Sequence, residues 1–398
     1  MASESFGEAL HGLRGEHSLR EVARRANVNN GHLSRMARGT RRPTMEFAVA
    51  IDRAFDTGGR LAALLAEAQP KREVEAPAPP WETAELLQRL RANSVDSVTI
   101  EAMHATAYEL CCQYPTREAG GLRAEAHGWL EEITRLLHQP VGLNEHKELL
   151  VASGWLALLT GCLEADLGMR AGAEATRIAA RELGRDAGHS EIVGWSHEMS
   201  AWFALTQARY GGVLTAAREG QAVAAGGSAA VQLMGQEAKA LARMGDIDGV
   251  SDALDRGRTL LDSMPRPYRR EHHFVVDPDK WDFYAMDAYR TAGDDERAAV
   301  HARRVLELGA APEGERAPMR MTEARLTLAA IAARGGDLEQ AVTTGIGALG
   351  GQRKSLPTLL MVAGELDNEL HQRYPGEVAA DDFREALHAV KAVRPLEV

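Results

Sequence analysis

Glycines that interrupt helix-forming stretches recur along the chain at Gly168, Gly211, Gly245, Gly293 and Gly336. Taken as turns, they bring three columns of mostly small side chains into register. Seven residues before each turn stand Gly161, Ala204, Ala238, Met286 and Ala329, and five after it Ala173, Ala216, Val250, Ala298 and Ala341. Twelve after come Ala180, Val223, Gly257, Val305 and Ala348. Small residues in register on both sides of a turn let two helices approach closely, so the spacing describes repeated helix–turn–helix pairs. Aromatic residues are only 5% of a chain that is 45% hydrophobic, which disfavours a β-sandwich and favours helices packed through small side chains. The fold class is therefore all-α.

This arrangement resembles the tetratricopeptide repeat, a unit of about 34 residues with small residues at these places around a Gly-Asp or Gly-Asn turn. Gly245-Asp246, Gly293-Asp294 and Gly336-Asp337 match that turn. The resemblance implies an α-solenoid over residues 82–398. The repeat's large aromatic columns are mostly absent here, and most spacings are longer. Residues 82–160 read as helical without a register.

Pro70, Pro77, Pro79 and Pro80 deny backbone donors to any regular element, so residues 70–81 read as a semi-rigid linker. They set off a head, residues 1–69, whose charge differs from the rest. Ten arginines face seven acidic residues over positions 1–60, in a chain whose formal charge is −11. Eight of those arginines crowd between Arg14 and Arg42. A small basic module on an acidic body is expected where one part meets an anion and the other does not.

Five short helices are expected in the head. Phe6, Leu10 and Leu13 form one apolar stripe, and Ser18 with Glu21 has capping-box spacing before Leu19, Val22 and Ala23. Asn27 suits a tight left-handed turn. Asn29 then caps a helix that buries Leu33 and Met36 and stops at Gly39. Another starts at Pro43-Thr44 with Phe47, Ala48 and Ile51 inside, and the last runs from about Arg60 to Ala68.

The spacing across residues 18–43, S-x-x-E-[apolar]-A-x-x-x-N-V-N-x-x-x-L-S-x-x-x-x-G and then Pro, resembles the helix-turn-helix of the lambda-repressor/Cro (Xre-like) family. The resemblance covers roughly residues 5–68 and implies that the second helix of the motif enters the major groove of a double-stranded DNA operator. Carried over position by position, Asn30 and Arg35 fall where the family reads bases, with Gly31, His32 and Ser34 beside them. Asn29 caps that helix. Arg38, Arg41 and Arg42 lie at its end and in the following loop, where phosphate contacts are usual. Ser18 and Arg20 belong to the phosphate-facing start of the first helix. Leu19, Gly31 and Ala37 depart from the family pattern, which bears on which base each residue reads.

A head of this kind followed by a long helical-repeat body is similar to a large group of actinomycete regulators. So is the segment 271–289, which reads as a short extended piece at His273–Val276, then Asp277 as a cap and Pro278 at the first helical position. Cap and loop roles account for His272, His273, Asp277 and Asp279 without a metal. GGQRKS at 350–355 lacks the Gly-Lys of a phosphate loop, and the metalloprotease, serine-hydrolase and dinucleotide motifs are not found. No enzyme, metal or cofactor is expected. Cys111, Cys112 and Cys162 read as buried reduced thiols. The N-terminal residues lack a signal-peptide pattern and no apolar run approaches the ~18–20 residues that span a bilayer, so the expectation is a cytoplasmic protein without membrane contact.

These readings combine into a sequence-specific DNA-binding regulator. Its body is expected to sense a small molecule, peptide or protein through polar and aromatic residues on the first helix of each pair: Trp202, Gln207, Tyr210, Gln236, Lys239, Tyr284 and Tyr289. The alternative is an interaction scaffold with auxiliary DNA binding. A homodimer is expected, held by the body (residues 82–398) or by Leu61, Leu64 and Leu65 at the end of the head.

Overall fold

A computed structural model describes residues 5–67, 95–139, 141–312 and 314–392. The chain divides into two compact units, Met1–Ala78 and Pro79–Val398. The described residues are almost entirely helical, and the proline-rich stretch 70–81 lies outside them.

The head holds α1 (Phe6–Arg14), α2 (Leu19–Arg25), α3 (Asn30–Ala37), α4 (Met45–Phe55) and α5 (Arg60–Glu67). Side-chain caps begin the first four: Ser5, Ser18, Asn29 and Thr44 each accept from a backbone N–H in the first turn. Asn27 takes φ 51° in the turn between α2 and α3, as its side chain permits. Leu10, Val22, Leu33, Ile51 and Leu61 form the core.

Two expectations are corrected here. The full capping box is at Ser5 and Glu8, whereas the Glu21 carboxylate turns to His17 at 3.4 Å. Leu61 is fully buried and Leu64 and Leu65 pack against the same core, because α5 needs that face to hold onto α4 and α1. Asp52, buried at the end of α4, fixes α5 by accepting from the N–H groups of Leu61 (3.1 Å) and Ala62 (2.9 Å).

The larger unit begins with α6 (Ser97–Gln113), α7 (Ala119–Leu137), α8 (Leu143–Asp166), α9 (Arg170–Asp186), α10 (Ser190–Leu205), α11 (Tyr210–Val223) and α12 (Ser228–Met244). It continues with α13 (Ile247–Ser263), α14 (Pro278–Ala292) and α15 (Asp295–Gly309). After a two-residue hairpin, β1 (Ala310–Ala311) with β2 (Gly314–Glu315), come α16 (Pro318–Arg334), α17 (Leu338–Leu349), α18 (Leu356–Arg373) and α19 (Val378–Ala392).

Gly168, Gly245, Gly293 and Gly336 take positive φ at the turns between paired helices. Gly211 does not: it lies within the first turn of α11, and the left-handed residue is Ala208, φ 56°. Counting from Ala208 repairs that column, replacing the exposed Val223 with Gly220 and giving Ala201 and Val213 in the other two. A side chain at Gly220 would collide with Leu233 and with His197 Cβ, so the glycine is required by close helix approach.

Alternate helices form an inner set. Each of α6, α8, α10, α12, α14, α16 and α18 packs on the next, and α18 also returns to α8. The surface expected to be an open groove is therefore crossed by α18. Its Thr358 accepts from Trp202 Nε1 of α10 (2.8 Å). Glu365 accepts from Arg243 Nε of α12 (2.9 Å) and from Arg290 of α14 (2.6 Å). Both arginines also bind Asp287, at 2.8 and 2.6 Å. At the other end Arg353 pairs with Asp166 (2.7 Å), which also accepts from the Tyr114 hydroxyl (2.7 Å).

α8 is long and apolar enough by composition to cross a membrane, contrary to the reading of the bare sequence. Most of it is buried inside this unit, and a helix packed on all sides is apolar all round. The three cysteines are free and buried.

Burial alone would raise the Asp287 carboxyl, but Arg243, Lys239 and Arg290 hold it well below the usual carboxylate range. Asp287→Asn leaves two buried guanidinium groups short of a charge partner. The expected loss is about 3–5 kcal/mol of unfolding free energy at pH 7, read by urea denaturation; a loss below about 1 kcal/mol would show that Glu365 alone holds α18.

Candidate functional site

On the head, α3 buries Leu33 and Met36 and turns its opposite face outward. Asn30, Gly31, Arg35 and Arg38 are exposed there and Ser34 is half-buried beside them. Asn29 Oδ1 accepts from His32 N (3.0 Å), fixing the start of the helix. At its end the carbonyl of Arg35 accepts from the N–H groups of Thr40 (2.9 Å) and Arg41 (3.2 Å), so the loop carrying Arg41 and Arg42 is tied to α3. Ser18 is exposed at the cap of α2, where its hydroxyl accepts from Glu21 N, and Arg20 is exposed one position into that helix.

The arginine excess has two parts. Arg25 is built into the head, over the Phe55 ring at 5.1 Å, and Arg38 Nε bonds back to the Ser34 carbonyl. Arg20, Arg24, Arg35, Arg41 and Arg42 form no ion pair among the described residues. His32 leans on Phe47, ring centroids 6.1 Å apart. Desolvation, and then the charges of Arg41 and Arg35, lower its pKa and favour the neutral ring.

The larger unit carries a partly open cavity of about 130 Å³ among its inner helices. Helical spacing builds its walls: Glu198, Trp202 and Leu205 from α10, then Gln232, Gln236 and Lys239 from α12. Phe283 and Tyr284 come from α14, Arg320 and Glu323 from α16, and Thr358 and Met361 from α18. The segment 271–277 closes one side. His273 stacks on Tyr114 with ring centroids 3.8 Å apart, Phe274 packs on Trp155 and Trp195, and Asp277 caps α14 through Lys280 N (2.7 Å).

Four residues singled out in the sequence, Trp202, Gln236, Lys239 and Tyr284, meet in this cavity. Three do not. Gln207 lines a separate depression with Arg170 and Phe203, and Tyr210 packs at the outer start of α11. Tyr289 faces its own partner helix, stacked on His301 at 5.6 Å with Arg297 over its ring. Position near a turn or on an inner helix is not enough, because only one stripe of each inner helix faces the cavity. That stripe also holds Glu198, Gln232, Lys280, Arg320 and Glu323, which the sequence reading passed over. A signal was available for Gln232: with Gln236 and Lys239 it puts polar residues at i, i+4 and i+7 of α12, a helix otherwise rich in alanine and leucine.

Desolvation dominates the cavity's electrostatics. Burial pushes Glu323 up to about 7 and also raises Glu198, which accepts from Gln232 (2.8 Å) and Gln236 (2.7 Å). Burial, with the field of Arg320, lowers Lys280 to about 7 while its ammonium donates to the carbonyls of His273 (2.5 Å) and Val275 (2.9 Å). His272 falls to about 4, again chiefly by burial, so its ring is neutral at pH 7.

Residues 5–65 match the model of the helix-turn-helix domain family, so the head is a helix-turn-helix DNA-binding domain. No curated protein matches the chain.

Glu323 gives a pH signature with a definite sign. From its usual value of 4.5 up to about 7 the folded protein holds a proton that the unfolded chain has released. Its contribution therefore falls as pH rises through that window and levels off above it. Relative to Glu323→Gln, the parent protein is expected to lose unfolding free energy between pH 5 and pH 7. Equal pH profiles for the two proteins, measured by urea denaturation, would show that Glu323 ionises normally.

Proposed function

We propose that the protein is a sequence-specific transcriptional regulator whose helical unit binds an effector and whose head reads an operator. The observation that carries the DNA reading is the outward face of α3, where Arg35 stands without an ion partner among the described residues and Arg41 and Arg42 follow in a loop tied to the helix end. In a helix-turn-helix domain, that face meets the major groove. Arg35 is suited to guanine O6 and N7, Asn30 to adenine, and Arg41, Arg42 and Arg20 to phosphates.

The effector reading rests on the cavity, a built space inside a unit of helices that the small-residue columns liken to tetratricopeptide repeats. The protein is read as a binding protein and not an enzyme, acting in the cytoplasm as a homodimer. One head covers one half-site, so pairing supplies affinity. With Leu61 spent in the head's own core, the larger unit is the natural place for the dimer contact.

Selection from random duplexes with the full chain is expected to return a consensus inverted repeat. Flat enrichment would favour auxiliary DNA binding instead. On the selected site Arg35→Ala is expected to cost about 1–3 kcal/mol and to relax specificity at one base pair. Arg42→Ala is expected to weaken all sequences alike and to lower the salt slope by about 1. If both variants bind every duplex like the parent, α3 is not the reading helix. Sedimentation of the full chain at micromolar concentration is expected to give a dimer, and a monomer would refute the pairing.

A further inference from the structure

The cavity holds more unanswered polar groups than its fold requires. Gln232 and Gln236 direct their amide nitrogens at one oxygen, Glu198 Oε1, and their own Oε1 atoms are buried with no donor. Glu323 Oε2 is buried with no donor as well. Lys239 is 3% exposed, yet its ammonium forms no ion pair or hydrogen bond among the described residues. It lies over the rings of Phe283 at 4.3 Å and Tyr284 at 5.4 Å. Arg320 lines the same space and likewise forms no ion pair among the described residues.

Each group specifies part of an occupant. A buried ammonium that feels Asp287, Glu323 and Glu198 without an ion pair to any of them has room for an anion of its own. Orphaned carbonyl oxygens call for N–H or O–H donors. Lys239 stands one turn from Gln236 and two from Gln232, ~4.5 and ~10.5 Å along the axis of α12. An acid and a donor at opposite edges of one ring fall within that range. Phe283, Tyr284 and Trp202 supply flat apolar walls. The volume, about 130 Å³, is close to that of cavities of ~150 Å³ known to take benzene, so one ring fits. An open depression of about 710 Å³ adjoins the cavity and shares Pro115, Arg270, Glu271, Ala317 and Arg320 with it, which gives a small molecule a way in.

We propose that this cavity binds a small aromatic acid bearing a hydrogen-bond donor on its ring, with the carboxylate at Lys239 and the donor at the free oxygens of Gln232, Gln236 and Glu323. The proposal deepens the effector reading above and rests on it only for its link to DNA. Burial raises Glu323 to about 7, which weakens the carboxylate charge that would otherwise oppose an anion beside Lys239.

The test is calorimetric titration of the full chain with 4-aminobenzoate, benzoate and aniline. 4-Aminobenzoate is expected to bind, with benzoate and aniline each at least tenfold weaker. Lys239→Met, which keeps the side chain's length and removes its charge, is expected to weaken 4-aminobenzoate at least tenfold. Gln236→Leu is expected to narrow the gap between 4-aminobenzoate and benzoate, and circular dichroism checks that both variants fold. Equal binding of the three probes, binding unchanged in both variants, or no heat at millimolar probe would overturn the proposal. Mobility shifts with the same probe separate it from the regulatory reading. Binding without a change in DNA affinity leaves the site standing and removes its coupling to DNA. A shift caused by cell extract, with none of the probes bound, keeps the sensing role and rejects this ligand class.

Discussion

The closed form of the larger unit depends on four charges held together inside it. Arg243, Asp287, Arg290 and Glu365 come from α12, α14 and α18, and each guanidinium is shared between the two carboxylates. Such a network is a weak source of net stability, because desolvating the ions offsets most of their attraction. Its effect is on register. α18 packs directly on few residues of the inner helices it crosses, so polar contacts fix where it sits. Two arginines in fixed positions accept Glu365 in one place only, and that places Thr358 and Met361 on the cavity wall.

The opposite end of the closure uses the same device. Arg353 is buried against Asp166 and the Tyr114 carbonyl, and the Tyr114 hydroxyl completes the cluster. The loop that resembled a poor phosphate site in the sequence thus joins α18 to α6 and α8. The cavity between these two fastenings is more polar than a packing core requires. Most of its ionisable groups are displaced by burial toward their neutral forms, whereas Asp287 stays charged because its partners are adjacent. That difference separates the groups that hold the unit together from those that line the cavity.

Much of the head was legible from local chemistry. Ser18, Asn29 and Thr44 announced helix starts because a cap acts within three residues, and Asn27 announced a turn because its own side chain tolerates φ 51°. The outward arginines of α3 followed from the same periodicity that buries Leu33 and Met36. Asp52 was not legible: it caps a helix that begins eight residues later, across a turn whose path no local rule supplies.

In the larger unit, the sequence by itself determined helices, small-residue turns and the close pairing of neighbours, since those depend on residues within about two turns of each other. It misplaced one turn, because Ala208 takes the left-handed conformation that Gly211 was free to adopt. Which stripe of each inner helix faces inward was decided by tertiary structure. So was the folding of α18 across α10, α12 and α14, which adds a wall to the cavity. The partners involved, Trp202 with Thr358 and Arg243 with Glu365, lie more than a hundred residues apart. Nothing in either local sequence distinguishes a glutamate that will meet two buried arginines from one that faces water; only the packed helices around it make that distinction.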